Sequence, residues 1–284
     1  SVEFIEQLNK GSAISNITFE LSGSPSSLVI TNLGTIFMCN VDYNDVNSEE
    51  MTIGGISRGN YGRIAYCGVT GNITVGTQAT GGIVWSNGNA ENTTASIEYS
   101  YSTASINGSS NNTTQSNIAA MAYYNYGYIG NSYVAGVTNS ALNVSGNEFV
   151  ATHGTEARYE NNYFDYYAQF IKEEDYENRY QGENGIAGIT GISTKDLQDL
   201  TGLSNGWISY GILNPNISNS ATYNYGYPIY NFNQYALQND SVVLGEIKAK
   251  FTGDGTFNNS NNKAYLINTI GVLWQIDALE NSEG

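Results

Sequence analysis

The chain has 284 residues and a formal net charge of −16 at pH 7, with 10 basic residues against 26 acidic ones. A surface that acidic excludes nucleic acid and anionic membranes as partners, because its summed field repels both. Charged residues are only 13% of the chain; Asn, Ser, Thr and Gly carry the polarity instead, which disfavours long Lys/Glu-faced helices and suits short strands joined by turns.

The opening Ser1-Val2-Glu3-Phe4-Ile5-Glu6 lacks the basic region and apolar run of a signal peptide, so a processed product or a segment of something longer is expected. No run reaches the ~18–20 apolar residues that a membrane-spanning helix needs, so no membrane insertion is expected. Glu3 to Leu8 is a short amphipathic stretch, and Asn16-Ile17-Thr18-Phe19-Glu20-Leu21 reads as a strand.

Next the sequence begins to repeat. Asn32-Leu33-Gly34-Thr35-Ile36-Phe37-Met38-Cys39-Asn40-Val41 aligns with Asn60-Tyr61-Gly62-Arg63-Ile64-Ala65-Tyr66-Cys67-Gly68-Val69 and with the run from Asn125 to Val134. Weaker copies surround Ile97 and Tyr159. The anchors Ile36, Ile64, Ile97, Ile129 and Tyr159 follow one another at 28, 33, 32 and 30 residues. A small-small-apolar triplet precedes them: Ser26-Ser27-Leu28, Gly54-Gly55-Ile56, Gly81-Gly82-Ile83 and Ala119-Ala120-Met121. The Ile97 copy carries six extra residues after its triplet.

A period near 30 means stacked units, each unable to bury its apolar face alone. With about three short strands per unit, the pattern predicts a mainly all-β parallel β-helix, a solenoid with coils of about 30 residues and short capping helices near the termini. A β-propeller blade would need about 40–50 residues. Stacking at ~4.8 Å makes three columns: an aliphatic ladder of the Ile anchors; small or polar groups at Cys39, Cys67, Ser100, Ser132 and Asn162; and tyrosines at Tyr101, Tyr133 and Tyr163. The Ser/Asn/Thr-rich loop from Ile106 to Ser116 is expected to project from one corner.

Gly81-Gly82-Ile83-Val84 with Ile97-x-x-Ser100, and above all Tyr126-Gly127-Tyr128-Ile129-Gly130-Asn131-Ser132-Tyr133-Val134-Ala135-Gly136-Val137, resemble GLUG-motif repeats. Such repeats occur in large secreted or surface-anchored bacterial proteins, including adhesins and non-catalytic regions of surface proteases. Glu160 to Asp165 resembles the last coil of such an array. Ser193 to Tyr230, with Gly206-Trp207 and Gly226-Tyr227-Pro228-Ile229, resembles its closing segment. The resemblance covers residues 26–165 and 191–230. It implies a right-handed β-helix, a secreted or cell-surface location, and no catalytic residues in the repeats. Residues 1–230 then form the β-helix with its N-terminal cap and closing segment. Residues 231–284, with Phe251-Thr252-Gly253-Asp254 and the helix-like Ile270 to Leu279, resemble the opening of a next unit. Either this segment docks head to tail on another copy of the chain, or it folds back on its own.

No catalytic constellation stands out. The one histidine, His153, sits in a Gly/Thr turn with no nucleophile motif beside it and reads as a solvated loop residue. Cys39 and Cys67 lack the partners of a zinc site; as stacked equivalents they are either buried thiols or an inter-coil disulfide. Asp42 and Asp45 with Glu49 and Glu50, and the run Lys172 to Arg179, read as solvated loops, with weak calcium binding at Asp42 and Asp45 the alternative. No cofactor or metal is expected. Among the 23 tyrosines, Tyr101, Tyr126, Tyr128, Tyr133 and Tyr163 are candidate ligand-facing rings, provided they point outward rather than fill the core. Alternation along the strand would set Tyr124, Tyr126 and Tyr128 on one face, opposite Tyr123. Candidate N-glycosylation sites are Asn16, Asn72, Asn92, Asn107, Asn111, Asn112, Asn143, Asn216, Asn239 and Asn258. The expected function is a non-enzymatic structural or adhesive module of a surface fibre, with glycans, cell-surface proteins or other copies of itself as partners. A glycan-binding or polysaccharide-cleaving β-helix is the alternative.

Overall fold

The computed structural model describes residues 4–25, 27–48, 52–76, 78–108, 118–136, 138–139, 149–165, 186–198 and 227, with the short strands Ile212–Leu213, Ile229–Tyr230, Ser241–Leu244, Ile247–Phe251, Asn258–Asn259 and Asn262–Lys263. The sequence repeats become parallel sheets, because each repeat contributes one strand to each of three. The first sheet pairs Ile5–Leu8, Val29–Asn32, Ser57–Asn60, Val84–Asn87, Ala122–Asn125 and Val150–His153 in that order. The second pairs Ala13–Ser15, Thr35–Phe37, Arg63–Ala65, Ser96–Glu98, Tyr128–Gly130 and Arg158–Glu160. The third runs from Ile17–Leu21 through Asn40–Ser48, Gly68–Val75, Tyr101–Ser102, Tyr133–Val134 and Asn162–Asp165 to Ile189–Ile192. A small fourth sheet joins Ile53–Gly54, Thr80–Gly81 and Ile118–Ala119, each ending on the first residue of a triplet.

The anchor column is in register: Ile14, Ile36, Ile64, Ile97, Ile129 and Tyr159 stand side by side on successive strands. Ile14 is a copy that the repeat alignment does not include. The triplets supply a second column, in which the backbone N–H of Val29, Ile56, Ile83 and Met121 donates to Ile56, Ile83, Met121 and Phe149 in turn. Leu28, Ile56, Ile83 and Met121 are completely buried, and they join the anchors and Val41, Val69, Val134 and Phe164 in one apolar cluster spanning all three sheets. Like packs on like because parallel in-register strands bring equivalent side chains ~4.8 Å apart.

Between the second and third sheets each repeat turns through one residue with positive φ: Asn16, Met38, Tyr66, Tyr99, Asn131 and Asn161, at 49° to 60°. All six lie two residues after the anchor. Asn tolerates this conformation through its short polar side chain, whereas Met and Tyr carry strain of about 1–2 kcal/mol each. Tyr66 recovers part of it by stacking on Tyr99 at 4.9 Å and meeting Phe37 edge-on at 5.3 Å. Met38 makes no such ring contact. Met38→Asn is therefore expected to stabilise the fold by about 1 kcal/mol, read as a higher urea midpoint; an unchanged or lower midpoint would refute the strain argument.

Within the amphipathic stretch read from Glu3 to Leu8, Ile5–Leu8 is the first strand of the first sheet: its Ile5, Gln7 and Leu8 pair with Val29, Thr31 and Asn32. The described capping helix is Thr194–Gln198, near the end of the third sheet. Ser193 caps its start: its Oγ accepts the Asp196 N–H at 3.1 Å and donates to Asp196 Oδ2 at 2.8 Å. At the other edge of the third sheet, Ile247–Phe251 runs antiparallel to Ile17–Leu21 of its own chain, so this strand of the 231–284 segment covers the first edge. The loop from Ile106 to Ser116 and the charged run Lys172 to Arg179 lie largely or wholly outside the described residues.

Candidate functional site

The polar columns are structural. Asn32, Asn60, Asn87 and Asn125 are fully buried at the ends of the first-sheet strands. Each of the first three donates its Nδ2 to the Oδ1 of the next, at 2.7, 2.8 and 2.8 Å. The same Nδ2 groups also donate to Arg63, Ser96 and Tyr128 carbonyls. Such a ladder satisfies turn backbone that would otherwise be buried unpaired. It stops at Asn125, whose buried Nδ2 has no further Asn side chain to donate to.

The position after Asn125 in register is His153. His153 ends a strand rather than sitting in a free turn, and its Nδ1 lies 2.6 Å from the Tyr159 hydroxyl. Burial pushes its pKa down and that of Tyr159 up to about 12. A histidine with a depressed folded pKa contributes stability above its unfolded pKa and loses it as pH falls through the folded value. The thermal midpoint is expected to drop between about pH 7 and pH 5. His153→Asn should abolish that part of the drop and add about 1 kcal/mol by extending the ladder to Asn125. A pH profile unchanged by the substitution would count against this.

Cys39, Cys67, Ser100, Ser132 and Asn162 form the second polar column. Ser100 Oγ and Ser132 Oγ each donate back to the carbonyl two residues earlier, at 2.9 Å. Cys39 and Cys67 thiols point at the equivalent carbonyls, at 3.4 and 3.2 Å. Both cysteines are free and buried, and burial holds the Cys67 thiol well above its ordinary pKa, so Cys67 is not a reactive thiolate. Each Ser Oγ also accepts an N–H from the preceding repeat, Cys67 to Ser100 at 3.2 Å and Ser100 to Ser132 at 3.1 Å. Ser100→Ala should thus cost about 1–3 kcal/mol, because it strands the buried Cys67 N–H, while the Glu98 carbonyl keeps the Tyr66 N–H at 3.0 Å. Cys67→Ser should be tolerated within about 1 kcal/mol, the serine taking the role its neighbours already play. Urea titration of the two variants checks both.

The tyrosine column divides. Tyr101, Tyr133 and Tyr163 are in register, and the first two stack at 5.3 Å and 8°. They are not ligand-facing: they are 0%, 0% and 9% exposed, in a cluster with Leu197 and Tyr227. Leu197 belongs to the short helix, and Tyr227 donates to Asp165 Oδ2 at 2.7 Å. Only the tertiary fold brings these residues, distant in sequence, over the third sheet. Tyr101 has room because Gly68, its register partner, has no side chain; a Cβ there would fall 2.3 Å from the phenol ring.

Tyr126 and Tyr128 lie on the outside, half-buried. Tyr128 sits over Gly130 and donates to Glu160 Oε2 at 3.1 Å, with Arg158 over its ring at 5.8 Å. Tyr126 sits over Gly154 and stacks on Tyr124 at 6.3 Å and 27°. Tyr124 meets Tyr123 edge-on at 4.7 Å and Trp85 edge-on at 5.4 Å; Arg58 lies over Trp85 at 6.0 Å. Tyr123 is therefore not opposite Tyr124. Simple alternation fails where the strand Ala122–Asn125 ends in a turn. The outer face of the first sheet thus carries one aromatic cluster across three repeats. Sequence reading missed Trp85 and Arg58, although the triplet pointed to them: Arg58, Trp85 and Tyr123 each stand two residues after the triplet's apolar member.

Of the carboxylates singled out in the sequence, Asp42 and Asp45 are tied to the neighbouring strand Gly68–Val75, and Glu49 and Glu50 lie outside the described residues. Asp42 Oδ1 accepts from Thr70 at 2.9 Å and Asp45 Oδ1 from Asn72 at 3.0 Å. Among the described residues no three His, Cys, Asp or Glu side chains are grouped to hold a metal. Arg63 and Glu98 make a bidentate surface pair at 3.0 and 3.2 Å. Of the sequons, Asn72 is exposed and Asn16, Asn92 and Asn107 are half-buried, while Asn111, Asn112, Asn143, Asn216 and Asn239 and the side chain of Asn258 lie outside the described residues. No described helix is long and apolar enough to cross a membrane.

The fold and this surface define a mostly β protein of stacked parallel sheets with an extended aromatic outer face. No protein-family model, curated protein or solved structure matches the chain.

Proposed function

We propose that the chain is a right-handed parallel β-helix of the GLUG-repeat type, acting as a non-enzymatic structural and adhesive module of a secreted or cell-surface fibrous protein. One observation carries this reading. Equivalent residues stay in register across six successive strands of the first and second sheets, which supports a rod held by ladders along its axis, with the aromatic face of the first sheet as its contact surface. Repeat units of this kind interact with their neighbours alone, so load is borne and released unit by unit. Pulling single molecules by their ends is the test. Stepwise release of ~30 residues, ~100 Å per step, is expected, and all-at-once extension of the whole chain would sink the reading. Association of copies head to tail belongs to the same proposal, and light scattering over a concentration series checks it.

A second reading, cleavage of a polysaccharide, rests on Asp42. Burial raises its pKa against the Thr70 hydrogen bond, and Glu20 precedes it in register on the next strand. Turnover of an acidic polysaccharide that Asp42→Asn abolishes would establish it in place of the first.

A further inference from the structure

We infer that the aromatic outer face of the first sheet is a binding platform for a neutral glycan chain lying across the repeats. This rests on the module reading above and names its adhesive ligand. The platform is built from Arg58, Trp85, Tyr123, Tyr124 and Tyr126, and Tyr61 stands on the same corner. Arg58, Trp85 and Tyr123 belong to one column, because their strand neighbours Ser57, Val84 and Ala122 are paired in register. Two steps of ~4.8 Å separate the outer members of that column, so the patch extends ~10 Å along the stack, which is the dimension of a short oligosaccharide rather than of one small molecule.

The rings are held rather than free. Tyr61 sits over Gly59 and Tyr126 over Gly154, where a Cβ would come within 2.9 and 2.4 Å of the ring. Both rings thus rest on glycine backbone, and all five aromatics are half-buried. The indole N–H of Trp85 is buried without a hydrogen-bond partner, so what Trp85 presents outward is carbon. Half-buried rings already held by their neighbours lose little entropy on binding and stack on the C–H faces of pyranose rings. A protein partner would instead be anchored by a side chain entering a pocket, whereas these side chains follow one another along successive strands. The charge of the chain decides between glycans: at −16 the protein repels an acidic polysaccharide and leaves a neutral one unhindered.

The test titrates neutral gluco-, xylo-, manno- and chito-oligosaccharides, with oligogalacturonate as the acidic control, into the full chain by calorimetry at low salt. At least one neutral series is expected to bind, more tightly with length up to about three units. Trp85→Ala and Tyr124→Ala should each weaken it by about tenfold or more, Trp85→Phe by less, and Tyr101→Phe, under the short helix, not at all. Unfolding midpoints of the variants verify that they fold. Absence of binding by every neutral series, binding unaffected by both alanine variants, or preference for the acidic oligomer overturns the inference. Stepwise mechanical release is read independently of any sugar, so failure of the platform and failure of the module reading are distinguishable.

Discussion

Asn60→Ala is expected to lower the stability of the chain by about 3–5 kcal/mol, roughly 1–3 for each buried polar group left without its partner. Asn60 is the middle of the ladder. Its Oδ1 takes the Asn32 Nδ2 hydrogen at 2.7 Å, and its own Nδ2 serves both Asn87 Oδ1 at 2.8 Å and the Ser96 carbonyl at 3.1 Å. Truncation strands two of these acceptors where no water reaches, since Asn60 and Asn87 are 0% exposed. Asn60→Asp, nearly the same in shape, should do no better: it loses the donor and faces Asn87 Oδ1 with a second acceptor, besides burying a charge. Equilibrium urea unfolding measures both. A loss below about 1 kcal/mol, the ordinary effect of a point substitution, would show that the ladder is not what holds the turns.

Gly62→Ala should be comparably damaging for a steric reason. The φ of Gly62 is not in the left-handed region, so its freedom of conformation is not the point. A Cβ on Gly62 would stand 2.1 Å from the carbonyl oxygen of Gly34, the equivalent residue of the previous repeat. That oxygen accepts the Arg63 N–H at 2.9 Å, so moving it breaks a bond between repeats. Both parties are backbone, and no rotamer change relieves the contact. Overpacking of this sort costs about 1–3 kcal/mol where side chains can yield, and the upper end or more is expected here. Gly34 and Gly127 meet carbonyls of Ser12 and Ala95 in the same way, at 2.3 and 2.2 Å, so their alanine variants should behave alike. Thermal midpoints of the three variants check this, and near-native values would mean that the stack opens locally at little cost.

The repeat was legible because its chemistry is one-dimensional. A residue that must lie directly above its equivalent has to be of similar type, so the Ile anchors, the Asn-x-Gly turns and the Cys/Ser column recur at a fixed period. Ile14 was missed because its Asn9-Lys10-Gly11 stands one residue farther from the anchor than Asn32-Leu33-Gly34 stands from Ile36, so the copies do not align. His153 was read as a loop residue because it breaks the Asn column by type while keeping its register with Asn125. The candidate site was only half legible. Tyr126 and Tyr128 stand on the outside, but nothing in the spacing of Trp85 from Tyr124 reveals that their rings meet at 5.4 Å.

What the sequence determined by itself is the set of columns: period and residue type dictate which side chains stack, since neighbours in a parallel ladder lie nowhere else. What the tertiary structure decided is which columns face water. Tyr101, Tyr133 and Tyr163 and the outer aromatics are chemically alike. They differ because Leu197 and Tyr227 close over the third sheet, while among the described residues the rings of the first sheet keep an open side. That distinction depends on contacts between segments far apart in the chain, and periodicity carries no information about them.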